Sequence, residues 1–418
     1  MSRVHVVGSG LAGLSAAVHL AAAGAEVHLS DAAPQAGGRC RSYFDRELGL
    51  TIDNGNHLVL AGNRHVHDYL ALIGAEDRLI GPATANFRWM DLATGERWTL
   101  RPNMGRLPWW LLSPSRRVPG TNPRDYLGLA RLRGAAANTT ITDTMRTEGP
   151  LWQRLLEPLF VSALNTPARE GSARLAGAVV RGSLARGGKA SRPRVAHPTL
   201  AHAFVDPALA YLAAHDAKVT LGRRLRAIGF EHTRAARLDF ADGPVDLSPT
   251  DSLVLAVPAW VAADLIPGLS VPAEHHAIVN AHFAVSPPAG GQLITGLVGG
   301  TAEWIFALPD RVSVTVSAAD RLLDTPRDAL LATLWSEAAR VLDLPDMPMP
   351  AARLLIEKRA TFAATPAQDA LRPPARTRYA NLFLAGDWTQ TGLPATIEGA
   401  CGSGATAAGL ALAAPPHY

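Results

Sequence analysis

Residues 3–32 read RVHVVGSGLAGLSAAVHLAAAGAEVHLSDA. Residues 3–7 read as a buried strand, and residues 11–23 form a helix of small residues. Gly24 ends that helix, and residues 26–30 make a second strand. Gly8, Gly10 and Gly13 give G-x-G-x-x-G at the strand-to-helix turn. Gly8 makes the tight turn, Gly10 lets a pyrophosphate approach the backbone, and Gly13 lets helix and strand pack closely. The helix start, Leu11 and Ala12, offers backbone amides and a partial positive charge to phosphate. Asp31 ends the second strand, where an acid can hold ribose hydroxyls. The unit reads as a dinucleotide site.

Bulk composition sets wide bounds. The chain has 418 residues, 48% hydrophobic and 18% charged, enough for a large core and two domains. Only Lys189, Lys218 and Lys358 are lysines, so the basic balance rests on arginine. A net charge of +4 over this length does not argue for nucleic acid. Cys40 and Cys401 support neither a disulfide framework nor a metal site, and no metal is expected. Met1 stands within seven residues of the glycine turn, so no secretory leader is expected. The most apolar window, from Ser252, is broken by Pro258, Asp264 and Pro267 and reads as a strand with a following segment. A cytoplasmic protein, peripheral at the inner face of the cytoplasmic membrane, is the expectation.

The next stretch narrows the cofactor. In APQAGGRCRSYFDRELGLTIDNGNHLV, Gly37-Gly38-Arg39 follows the second strand directly. This turn resembles the FAD-dependent amine oxidase and carotenoid desaturase superfamily. The resemblance implies FAD, with Gly38 and Arg39 beside its pyrophosphate and Asn54, Gly55, Asn56 and His57 near the isoalloxazine. It also implies that the backbone around Val219 meets the adenine. The expected fold is α/β: a Rossmann-like FAD-binding domain interleaved with a mixed α+β substrate domain. The FAD domain would take residues 1–62, 190–268 and 353–418, and the substrate domain residues 63–189 and 269–352. Within the latter, residues 105–133 are a candidate membrane-contact segment. There Trp109, Trp110, Leu111 and Leu112 lie beside Arg116 and Arg117, a mixture that suits either a headgroup layer or a core.

Further pieces resemble the hydroxysqualene dehydroxylases, also called squalene-associated FAD-dependent desaturases. They are EPLFVSALNTP from Glu157, EKRATFAATP from Glu357 and NLFLAGDWTQTGLPATIEGA from Asn381. Asn56 stands where Gln is typical of those relatives, and Asp31 where many carry Glu. In the C-terminal piece, residues 382–385 would be the last strand of the FAD sheet, entering beside the first. Gly386 and Asp387 would approach the ribityl and pyrophosphate region. Ala395, Thr396 and Ile397 would begin a helix facing the flavin, with no covalent link expected at Cys401.

The resemblance implies reductive removal of the hydroxyl of hydroxysqualene, a long isoprenoid, giving squalene. A departing hydroxyl needs a proton or a strong hydrogen bond. His57 is the first candidate donor because an imidazole titrates nearest neutrality. Asp53 is the second and Glu398 the third, and a bound water could replace all of them. No second dinucleotide motif is evident, so an external reductant is expected.

Other readings stay open: an oxidative carotenoid or isoprenoid desaturase, an amine oxidase, or a non-catalytic flavoprotein partner. Against the amine oxidase, Thr396 occupies a position usually aromatic in those enzymes, and no lysine falls between Lys218 and Lys358.

Overall fold

A computed structural model describes residues 3–414. Five parallel strands form the first sheet, in the order Lys218–Thr220, Glu26–Ser30, Arg3–Val7, Ser252–Leu255, Leu382–Leu384. One face of this sheet packs on helices and the other on the antiparallel sheet of Leu225–Glu231, Arg234–Phe240 and Gly243–Asp246, so Ser252–Leu255 is buried at every position. Ser252–Leu255 pairs with Arg3–Val7 on one edge and with Leu382–Leu384 on the other. The C-terminal strand therefore enters one place further out than expected, because the chain returning through residues 252–255 takes the slot beside the first strand.

The helices Leu11–Ala22 and Ile397–Leu412 pack on each other against this sheet. Their close approach depends on Gly404, where a Cβ would overlap the Ala12 carbonyl oxygen. Ser15 Oγ donates to the Cys401 carbonyl at 2.8 Å across the same contact. Gly13 plays the packing part expected of it, since a Cβ there would run into the Gly8 carbonyl.

A seven-stranded sheet forms the second layer system, in the order Ala352–Phe362, His275–Phe283, Arg311–Val316, Trp304–Leu308, Ile294–Val298, Phe87–Asp91, Arg97–Leu100. It is antiparallel except where Ile294–Val298 meets Phe87–Asp91. Alternation along its strands splits the side chains between two cores. Ile305, Val312, Val314 and Val316 pack with Leu330, Leu334 and Trp335 of the helix Arg327–Val341. Trp89, Trp304 and Phe306 share the other core with Trp152 and Phe160 from the mainly helical block of residues 109–191.

Two of the expected domain borders cut through packing. The helix Arg64–Leu72 buries Val66, Tyr69 and Leu70 in the same core as Leu14, Val27 and Leu29. The strand Ala352–Phe362 belongs to the seven-stranded sheet through its pairing with His275–Phe283. Borders near residues 80 and 363 follow these contacts better than 62 and 353.

Candidate active site

The glycine turn opens the site. Gly8 adopts φ +107°, and its N–H donates to the Ser30 carbonyl at 2.8 Å. Gly10 caps the helix Leu11–Ala22, which has no side-chain cap and no acid in its first turn. Its first amides are thus free to meet an anion. A Cβ on Gly10 would meet nothing within 4 Å, so the backbone there faces open space. Gly37 N donates to the Ser9 carbonyl at 2.8 Å, which lays the Gly-Gly-Arg turn along the first glycine turn. Gly38, at φ +55°, completes the pair of glycine backbones.

Arg39 and Asp387, 348 positions apart, meet here: Arg39 Nη2 donates to Asp387 Oδ1 at 2.7 Å, and Nη1 to the Ala360 carbonyl at 2.6 Å. The Asp387 charge raises the Arg39 pKa further, and the Arg39 side chain stays 44% exposed while Asp387 is buried. Behind them Arg372, buried, donates to the carbonyls of Asp387, Thr389 and Leu393 and to Thr391 Oγ1, at 2.7 to 3.0 Å. Its Nη1 also reaches Asp369 Oδ1 at 3.0 Å, and Asp369 in turn pairs with Arg174 at 2.6 Å. One buried arginine therefore stitches the loop of residues 387–393 into shape. Gly386 (φ +155°) precedes that loop, its N–H held by Ser403 Oγ at 2.9 Å.

Asp31 turns back on the glycine turn. It accepts from the Ser9 N–H, from Ser9 Oγ at 2.7 Å and from the Ala33 N–H at 2.7 Å. Val219 lies in the adjacent edge strand, in register with Leu29. Thr396 caps the C-terminal helix, accepting from Gly399 N at 3.1 Å, with Ala395 before it and Ile397 buried after it.

The segment of residues 53–57 is held by groups that no local pattern marks. Asn280 Oδ1 accepts from Asn56 N at 3.3 Å, from Asn56 Nδ2 at 3.4 Å and from Thr315 Oγ1 at 2.8 Å. Asn56 Nδ2 also donates to Thr315 Oγ1 at 3.0 Å. Gly55 sits against the Asn280 amide, where a Cβ would come within 3.1 Å of Nδ2. Asn54 N donates to the Arg41 carbonyl at 3.0 Å. His282 donates through Nε2 to the Asp53 carbonyl at 3.1 Å, so its Nδ1 accepts from Ser313 Oγ at 2.7 Å. Burial, helped by Arg311, pushes the His282 pKa down to about 4 and keeps the ring neutral.

The three candidate acids have different surroundings. His57 is half-buried, and burial followed by the nearby Arg39 charge lowers its pKa to about 4. It is thus a neutral imidazole near pH 7 rather than the charged acid that its ordinary pKa implies. Asp53 is buried and accepts from Ser42 Oγ at 2.6 Å and Leu200 N at 2.8 Å, with Arg311 Nη2 at 3.4 Å. Burial raises its pKa, against the pull of those partners. Glu398 accepts from His65 N at 3.2 Å and Val66 N at 3.0 Å, so it caps the helix Arg64–Leu72. Its partners are backbone amides of a helix other than its own.

Glu303 was not anticipated. Burial pushes its carboxyl up to about 7, opposed by the Ser317 N–H at 2.8 Å. Cys401 is buried in the C-terminal helix, and burial raises its thiol well above the ordinary range.

The glycine cradle, the uncapped helix and the Arg39–Asp387 pair fit a flavin dinucleotide. Residues 11–412 match the family of flavin containing amine oxidoreductases. A hydroxysqualene dehydroxylase of Rhodopseudomonas palustris is 51% identical over 412 residues, 98% of each chain. One from Zymomonas mobilis is 49% identical over 412 residues, 99% of each. Among solved structures, putrescine oxidase bound to putrescine superposes with a TM-score of 0.69 at 16% identity, over 99% of both chains. An oxidoreductase from Methanosarcina mazei gives a TM-score of 0.70 at 14% identity, over 97% of this chain and 99% of that one. Those likenesses carry the fold, an α/β architecture with a parallel sheet and a second, mixed sheet. The chain belongs to the flavin containing amine oxidoreductase family, among the hydroxysqualene dehydroxylases.

Proposed function

We propose that this chain catalyses the FAD-dependent reductive dehydroxylation of hydroxysqualene to squalene. The observation that carries this reading is identity of 48–51% to three hydroxysqualene dehydroxylases across nearly the whole chain. In the reaction a carbon–oxygen bond breaks, a hydride arrives at the allylic carbon, and the oxygen leaves as water with one added proton. Bound reduced FAD supplies that hydride.

The chain's own residues hold and shape. Gly8 to Gly13 and the uncapped start of the helix Leu11–Ala22 would take the pyrophosphate, with Arg39 adding charge. Asp387 fixes the direction of that guanidinium. Neutral His57 would offer a ring N–H as a hydrogen bond to the departing oxygen, while the proton itself comes from a water or a neutral acid. Asn280 and Thr315 keep the loop of residues 53–57 in one conformation, so that this N–H has a fixed origin. Asp53 and Glu398 are positioning groups in this scheme, because their oxygens are already engaged.

No helix among the described residues is long and apolar enough to cross a membrane. Peripheral contact of residues 105–133 with the inner face of the cytoplasmic membrane, and an external reductant, complete the proposal. The test is purified chain, loaded with FAD and chemically reduced without oxygen, incubated with hydroxysqualene. Mass spectrometry should find squalene; its absence, with the alcohol unchanged, sinks the reading.

A further inference from the structure

We infer that residues 101–133 form a docking surface for an anionic lipid leaflet. Among the described residues, five of the ten large apolar side chains left exposed fall in this one stretch: Met104, Leu107, Trp109, Leu112 and Leu127. The same stretch holds seven arginines against the single acid Asp125, a net charge of +6 in a chain whose total is +4. The rest of the molecule is therefore slightly acidic, and its basic character is gathered here. Arg101, Arg106, Arg116, Arg124, Arg131 and Arg133 make no ion pair among the described residues. Asp125 is engaged in capping, accepting from Asn122 N at 2.8 Å.

The backbone explains why apolar groups face outward. In the tight helix Trp109–Leu112, Trp110 is buried against Tyr126, edge to face at 5.5 Å between centroids. Tyr126 Oη accepts from Val118 N at 3.1 Å, and Arg117 Nη1 donates to the Leu111 carbonyl at 2.7 Å. Asn103 closes the loop, accepting from Trp110 N at 3.2 Å and donating to the Leu107 carbonyl at 2.8 Å. With Trp110 fixed inward, Trp109 and Leu112 turn out at 64% and 65% exposure. Leu127, next to Tyr126, joins them at 68%. Of the four residues expected to touch a membrane, Trp110 and Leu111 instead pack towards the core.

Apolar tips that can enter the acyl boundary, among unpaired arginines at headgroup level, match an anionic bilayer. A second copy of this chain would bring the same positive surface against itself, which like charge disfavours. The inference rests on the isoprenoid reading for its purpose, since a thirty-carbon chain resides in the bilayer. Its test does not.

The experiment is vesicle flotation of the full FAD-loaded chain with phosphatidylcholine alone and with phosphatidylglycerol added. Flotation should be strong with the anionic vesicles, weak with the neutral ones, and reduced by salt. A triple variant, Trp109→Ser, Leu112→Ser and Leu127→Ser, should partition about tenfold less. It should also keep its activity on detergent-dispersed hydroxysqualene. Replacing Arg101, Arg106 and Arg124 by Gln should remove the preference for anionic lipid. Equal flotation of the triple variant, or none by wild type, overturns the inference; so does a wild-type dimer that the triple variant loses. Wild type that converts hydroxysqualene without floating rejects the surface alone. Wild type that floats without converting it rejects the activity alone.

Discussion

A departing hydroxyl has to be met by a hydrogen bond or a proton, and the side chains nearest that task differ sharply in freedom. His57 makes no protein hydrogen bond among the described residues, whereas Asp53 and Glu398 have their oxygens occupied. We therefore expect His57→Ala to bind FAD normally and to lose product formation, read by flavin absorbance and by squalene yield. Wild-type yield from this variant would remove His57 from the mechanism. Because its pKa is depressed to about 4, the ring is neutral throughout the physiological range, and no rate limb should come from it between about pH 5.5 and about pH 8. Glu398→Gln should cost about 1 kcal/mol of stability through the weakened cap on Arg64–Leu72 and leave turnover intact. Arg39→Met should weaken FAD binding roughly tenfold to a hundredfold, since a charge-assisted contact is lost and Asp387 is left buried without its partner. Fluorescence titration of the apoprotein with FAD measures this.

Among the elements, the first strand–turn–helix–strand was readable because every one of its signals is local: glycine spacing, small-residue helix, apolar strands. The neighbour of Leu382–Leu384 was not, because strand order depends on where residues 252–255 return. Asn280 and Thr315 were hidden for a related reason. A lone Asn or Thr in an apolar strand has no periodic signature, and only pairing of His275–Phe283 with Arg311–Val316 brings the two together. Glu303, at the start of the strand Trp304–Leu308, shows what such concealment costs. Its folded pKa of about 7 stands above the ordinary 4.5, so the stability it lends is complete below about pH 4.5 and is lost as pH rises through about 7. The loss amounts to at most about 3 kcal/mol. Glu303→Gln should match wild type in thermal melting near pH 5 and melt higher near pH 8; equal melting at both would contradict the burial. Gly404→Leu should destabilise by roughly 3 kcal/mol or prevent folding, because its side chain would press on the Ala12 backbone.

For the whole molecule, the glycine turn at residues 8–13 and the loop at residues 386–396 are linked through the Gly-Gly-Arg turn of residues 37–39. Arg39 joins them to each other, while Arg372 and Asp369 join the loop to Arg174 in the helix Ala173–Gly182. Such a chain-spanning arrangement accounts for why the family pattern was legible in scattered motifs while the domain borders were not. The motifs sit at turns that chemistry constrains, and the borders at helices such as Arg64–Leu72 whose allegiance is decided by core packing. The most direct test is an anaerobic single turnover: reduced FAD-loaded protein mixed with hydroxysqualene, with flavin absorbance and squalene followed together. Reductive dehydroxylation predicts one squalene formed for each flavin reoxidised, in step. Flavin that stays reduced, or that reoxidises without squalene, would contradict it, as would oxidised protein that consumes squalene and becomes reduced.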